Sequence, residues 1–149
     1  MQCLSCSIHQ QGVTTVGGLI AASDYFEVRQ DYAVPIPGFM IISSKRHVRS
    51  MDDFTPAERT DFIEFCCRMR RQMREILGVD EITMVQEENS AHFHLWLFPW
   101  YSWMKPFGND VASLRPIMRY AREHLTTQSH SDAVHGAAQK LKKNCYVMK

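Results

Sequence analysis

The sequence predicts an α+β fold: an antiparallel sheet, one long helix packed on it, and further helices at the C-terminal end. Three observations predict it. Residues 92–98, HFHLWLF, alternate with the period of a strand, and residues 56–77 repeat apolar positions at the three-and-four spacing of a helix. EITMVQ (81–86) and HFHLWLF then flank a polar turn, Glu87 to Ser90, as antiparallel neighbours do. At 149 residues the chain fits a single domain, 1–149, with a helical C-terminal extension from about residue 110.

Taken in order, GGLIAASDYFEVRQDY holds two short strands with a turn near Ser23-Asp24, and FMIIS (39–43) is a buried strand after the turn Pro35 to Gly38. The long helix has the clearest boundaries. Thr55 is an N-cap, Pro56 the first helical residue and Glu58 the partner that completes a capping box, while Gly78 is a natural C-cap. Between them Phe62, Phe65, Cys66, Met69, Met73, Ile76 and Leu77 make one apolar face; Arg68, Arg70, Arg71 and Arg74 lie off it and read as solvated surface. A second helix is expected at Leu114 to His124 and a third from Ser131 to about Lys143.

Composition narrows the function. A formal charge of +1 with 22% charged residues lacks the basicity of a nucleic-acid binder. Apolar runs such as FMII and LWLF fall far short of a membrane span, and MQCLSCSIHQQ has neither the cationic nor the apolar part of a signal peptide. The expectation is a soluble cytoplasmic protein. Five cysteines is an odd count, with Cys66 and Cys67 adjacent on a helix, which fits reduced thiols better than a disulfide framework.

Chemistry concentrates in two places. In HFHLWLF the apolar Phe93, Leu95 and Leu97 share one face, so His92, His94 and Trp96 share the other. Two imidazoles one pleat apart serve as metal ligands, handle a phosphate, or hydrogen-bond in a core. Cys3-x-x-Cys6 is equally open: it holds zinc, exchanges disulfides or is incidental, and no second CxxC completes a knuckle. His9, His47 and His92 are the histidines placed to complete a metal site.

Residues 31–48, DYAVPIPGFMIISSKRHV, resemble the central segment of histidine triad (HIT) proteins, an Asp, a proline-rich turn and then G-H-x-L-x-x-P-K-x-H; Asp31, Gly38, Lys45 and His47 fall at its intervals. HFHLWLFPW resembles the motif that names the family, His-x-His-x-His followed by apolar residues. With the CxxC, the resemblance covers roughly residues 3–105. It implies a HIT-like fold, commonly a homodimer with a continuous sheet, that binds a nucleotide or dinucleotide substrate. It also implies that His94 attacks the α-phosphorus to form a covalent nucleotidyl-histidine, as a nucleotide hydrolase or nucleotidyltransferase does. Asn89 and Ser90 would hold the phosphate, with Asp31 and Trp96 as further substrate-binding positions. Zinc-containing members place their metal on the equivalents of Cys3, Cys6, His47 and His92, a closed and therefore structural Cys2His2 set.

The pattern is also broken. Trp96 stands at the third histidine, and an indole donates one hydrogen bond but shuttles no proton. The glycine-rich phosphate turn is replaced by QEENSAH, whose Glu87 and Glu88 would repel polyphosphate if they faced it. Phe39, Ser44 and Trp100 replace the motif His, Pro and Arg. Trp100, Tyr101, Trp103 and Phe107 pack beneath the C-terminal segment or stack on a base. These departures motivate the alternative of a zinc-stabilised, catalytically impaired nucleotide-binding or scaffold protein.

Overall fold

The structure, a computed structural model, describes residues 3–10 and 13–145. Five strands, β1 (Leu19–Ala22), β2 (Phe26–Gln30), β3 (Met40–Ser44), β4 (Ile82–Gln86) and β5 (His94–Pro99), form one antiparallel sheet in the order β1-β2-β3-β5-β4. The chain leaves β3 through a 22-residue helix, α2 (Pro56–Leu77), preceded near the N-terminus by a short helix, α1 (Leu4–His9). Helices α3 (Leu114–His124) and α4 (Gln128–Cys145) close the fold.

Strand alternation sends the two faces of the sheet into two separate cores. Phe26, Val28, Ile42, Phe93, Leu95 and Leu97 meet Phe62, Phe65, Met69 and Met73 of α2 and Ala138 and Leu141 of α4. The opposite face, with Ile41, Trp96 and Phe98, packs under α3 through Ile117, Met118 and Ala121, and Phe39 joins it. Trp100, Trp103 and Phe107 belong to this second core, and the Trp100 indole donates to Thr83 Oγ1 at 2.8 Å. The aromatic cluster is therefore built into the packing.

Two boundaries differ from the sequence expectation. The expected 92–98 strand starts pairing only at His94, because Ala91 takes a left-handed φ of 62° and Phe93 N donates to Val48 O instead of to the sheet. His92 thereby leaves the strand plane. The last helix starts at Gln128 rather than Ser131, since Thr127 Oγ1 accepts from His130 N at 3.3 Å and caps an earlier turn.

Helix α2 begins as its sequence dictates. Thr55 Oγ1 accepts from Glu58 N, Glu58 Oε2 accepts from Thr55 N, and Gly78 ends the helix at φ 66°. Glu58, buried, also receives Arg46 Nε and Nη2 at 2.9 and 3.0 Å. The Arg46 hydrogen bonds, with the capping N–H, hold the Glu58 carboxyl below the usual range. Thr55→Ala is expected to cost about 1 kcal/mol in urea unfolding. A depressed carboxylate stabilises the fold above its unfolded pKa, and that contribution disappears as pH falls through the folded value. Glu58→Gln, which keeps a capping partner, should therefore be less stable than the parent at pH 7 and equal to it once both are acidified below the glutamate range.

Candidate functional site

The first cluster gathers residues 3, 6, 47 and 92. Cys3 is the N-cap of α1 and Cys6 lies on its first turn, so the short helix presents both sulfurs to one point. His47 comes from the loop after β3, and His92 from the irregular step before β5. Cys3 Sγ lies 3.4 Å from His92 Nδ1, Cys6 Sγ lies 3.3 Å from His47 Nδ1 and 3.5 Å from His92 Nδ1, and the two Nδ1 atoms are 3.2 Å apart. All four ligand atoms fall within 4.8 Å of one another.

These spacings can be compared with what a metal requires. Bonds of about 2.0–2.3 Å at tetrahedral angles separate neighbouring ligand atoms by roughly 3.3–3.8 Å. The four measured separations, 3.2–3.5 Å, sit at that scale. The tautomer fits as well: His92, only 1% exposed, donates Nε2–H to Ser44 O at 2.7 Å, which leaves Nδ1 as a bare lone pair aimed into the cluster. Burial holds the His92 imidazole below its ordinary range, favouring that neutral form. Burial, reinforced by Cys3, raises the Cys6 thiol when no cation is beside it. The residues present fit a closed two-thiolate, two-imidazole metal site.

The second feature is a cavity of about 300 Å³ that shares a wall with this cluster. Its floor is the α3 side of the sheet, where Ser43 pairs opposite His94 and Ile41 opposite Trp96. Leu4, Ser5 and Ile8 of α1 form one wall, and Arg29, Asp31, Tyr32 and Arg122 line it further out. Arg29 and Arg122 bring two guanidiniums to the lining beside the one carboxylate of Asp31, and Arg29 Nη2 is paired with Glu27 Oε2 at 3.3 Å.

His94 is held in a defined way. Its Nδ1 is 3.1 Å from His92 O and 3.1 Å from Ser90 Oγ, and Ser90 also donates to His92 O. A carbonyl oxygen only accepts, so Nδ1 carries the proton and Nε2 keeps its lone pair. Among the described residues Nε2 takes no hydrogen bond. Asp31 Oδ1 accepts from Ala33 N and Val34 N at 2.9 and 2.7 Å, leaving its second oxygen available. Burial raises the Asp31 carboxyl, and those two N–H groups oppose the rise.

No family model matches the sequence, and no curated protein is similar enough to count as a relative. Solved structures do match. A zinc-bound histidine triad family protein from Mycobacterium smegmatis is 18% identical over 97% of this chain and 98% of its own, with a TM-score of 0.61. A HIT-like protein involved in cell-cycle regulation from Bartonella henselae is 15% identical over 95% of each chain at 0.65. A hypothetical histidine triad nucleotide-binding protein from Sulfolobus tokodaii is 12% identical over 95% of this chain and 93% of its own at 0.66. The fold is HIT-like.

Within this HIT-like fold the sequence-predicted residues separate. Cys3, Cys6, His47 and His92 converge on one point; Ser90, His94, Trp96 and Asp31 line the cavity, which Cys3 and His92 also border. Asn89 is exposed and does not line it. Neither do Glu87 and Glu88: the Glu87 carboxylate pairs with Arg115 at 3.3 Å, and Glu88 is exposed. Sequence reasoning missed Arg29, Tyr32, Arg122 and the whole of α1. Arg29 had a signal, a cation alternating with Phe26 and Val28 on a strand; Arg122 is brought in only by the packing of α3.

Proposed function

We propose that the chain is a HIT-like nucleotide hydrolase or nucleotidyltransferase in which His94 is the nucleophile. The observation that carries this reading is the fixed tautomer of His94, Nδ1 bound to His92 O and Nε2 unengaged beside a cavity lined by cations. A neutral imidazole so oriented is nucleophilic at pH 7. Nε2 forms a bond to the α-phosphorus while the bond to the leaving group breaks with its electron pair. The nucleotidyl-imidazolium keeps the Nδ1 proton. Water or another acceptor then attacks phosphorus, the P–N pair returns to Nε2, and the acceptor's proton passes to solvent.

The remaining residues take supporting parts. Ser90 donates to a phosphoryl oxygen or holds the His94 ring, and the second oxygen of Asp31 accepts from a sugar hydroxyl. Asn89 would have to turn inward to serve as a phosphate donor. Zinc is the metal that the Cys2His2 set fits, held by Cys3, Cys6, His47 and His92; the smegmatis structure, with the same fold, is zinc-bound. There it would tie α1 to the sheet and so set one wall of the cavity. No helix among the described residues is long and apolar enough to cross a membrane. The outer edge of β4, with Met84 half-exposed, is the surface on which a homodimer would continue the sheet.

Trp96 favours one competing reading, a nucleotide-binding protein that has lost turnover. Nucleoside monophosphate release from dinucleoside polyphosphates, nucleoside phosphoramidates and nucleotide sugars separates the two. Release supports the enzyme; tight nucleotide binding without release supports the binding protein.

A further inference from the structure

The cavity holds few groups able to give a proton to a departing atom. Of its titratable lining residues, Cys3 and His92 belong to the metal cluster and His94 is the attacking group. Arg29 and Arg122 do not release protons. Asp31 and Tyr32 follow β2, which is separated from β5 by β3, and so stand about 10 Å to the side of the His94 strand, at two strand spacings. Asp31 is also displaced along the sheet: Gln30 pairs with Met40 and Met40 with Leu97, putting Asp31 beyond the level of Trp96. Both therefore enter the cavity from a backbone set apart from His94.

What stands beside His94 on the same strand face is Trp96. It lines the cavity, and its ring is fixed edge-on to Phe39 at 5.8 Å between centroids. The indole N–H has no acceptor among the described residues and is available to a ligand oxygen. It donates a hydrogen bond and cannot transfer the proton. The other near neighbours are hydroxyls. Ser43 Oγ is engaged with His9 Nε2 at 2.9 Å, and Ser90 Oγ with His92 O and His94. His9 itself does not line the cavity.

We infer that Trp96 determines specificity for the leaving group, restricting the site to nucleotides whose leaving group departs as a stable anion: phosphoanhydrides and mixed acyl phosphates rather than phosphoramidates or alkyl esters. This rests on the nucleotidyl-transfer reading above. When His94 Nε2 displaces a phosphate or carboxylate, the leaving oxygen keeps the electron pair of the broken P–O bond and needs no proton. The indole N–H stabilises that charge as it develops. An amine or an alcohol leaves only with a proton, and the side chain beside His94 on its strand face, Trp96, supplies none.

The test is the dependence of kcat/KM on leaving-group basicity, which reports nucleotidyl transfer to His94 even if breakdown of the adduct limits kcat. The series is adenosine 5′-monophosphate linked to p-nitrophenol, phenol and methanol, with diadenosine tetraphosphate as the anhydride and adenosine 5′-phosphoramidate as the amine. The full-length protein is expected to cleave the anhydride and p-nitrophenyl compounds and to fall steeply through phenyl to methyl and the phosphoramidate. Trp96→His should raise the phenyl and phosphoramidate rates about 10²- to 10⁴-fold relative to the p-nitrophenyl rate, the usual contribution of a general acid, and so flatten the dependence on leaving-group basicity.

A shallow dependence in the unaltered protein overturns the inference and leaves nucleotidyl transfer standing, because some other group, such as the His9–Ser43 pair, then delivers the proton. The unaltered protein carries this test even if the variant fails to fold. No turnover of any member removes both readings.

Discussion

His94→Ala is expected to lower nucleotide turnover by roughly 10⁴- to 10⁶-fold, the scale seen when a covalent nucleophile is deleted. The loss should appear in kcat with little change in nucleotide affinity, since the rest of the cavity lining, Arg29, Asp31 and Arg122 included, stays in place. His94 is only partly buried and, among the described residues, its ring bonds only to Ser90 and His92 O, so the substitution should leave stability nearly unchanged. An intact-mass measurement under an alkaline quench, which preserves P–N bonds, should find one nucleotidyl group on the parent and none on the variant. Full adduct on His94→Ala would move the nucleophile elsewhere. Ser90→Ala is expected to cost only about 10- to 100-fold, as the carbonyl of His92 still holds the ring.

The parts of this arrangement that were legible in the sequence are those dictated locally. Helix α2 could be bounded because its stop and start are written in Thr55, Pro56, Glu58 and Gly78, and the α3 span Leu114–His124 was readable with Pro116 near its start. The faces of β5 followed from alternation. Helix α1 was not legible: six residues, LSCSIH, are too few for helical propensity to register, and what holds them is the distant pair His47 and His92. The irregular step at Ala91 was equally hidden, since a left-handed alanine carries no signature and is imposed by the Phe93–Val48 and Ser90–His92 hydrogen bonds. That step matters most for the site. It turns His92 from a strand neighbour of His94 into a member of the Cys3, Cys6 and His47 cluster, with a carbonyl that orients the His94 ring. Asn89 looked like a phosphate donor because the turn had to supply one, but position along a turn does not fix which side chains face inward.

With zinc bound as proposed, removal of the metal should reach beyond local stability. A zinc ion present at about a thousand times its dissociation constant stabilises the folded state by about 4 kcal/mol, which in a chain of this size shifts the melting midpoint by roughly 8–16 °C. Chelation, or the Cys3→Ser/Cys6→Ser pair, is expected to produce a loss of that order. The purified protein should carry one zinc per chain and the double variant none, by elemental analysis, while Cys67→Ser, an exposed cysteine outside the cluster, keeps its metal. The cluster also sets the cavity. Leu4, Ser5 and Ile8 reach the cavity from α1, whose N-cap Cys3 and first-turn Cys6 are two of the four ligands, so freeing those ligands frees a wall. Nucleotide affinity should fall with the metal, and it should fall even in His94→Ala, where chemistry is absent. A metal-free protein that melts at the same temperature and binds nucleotide equally well would show that the four residues meet for some other reason.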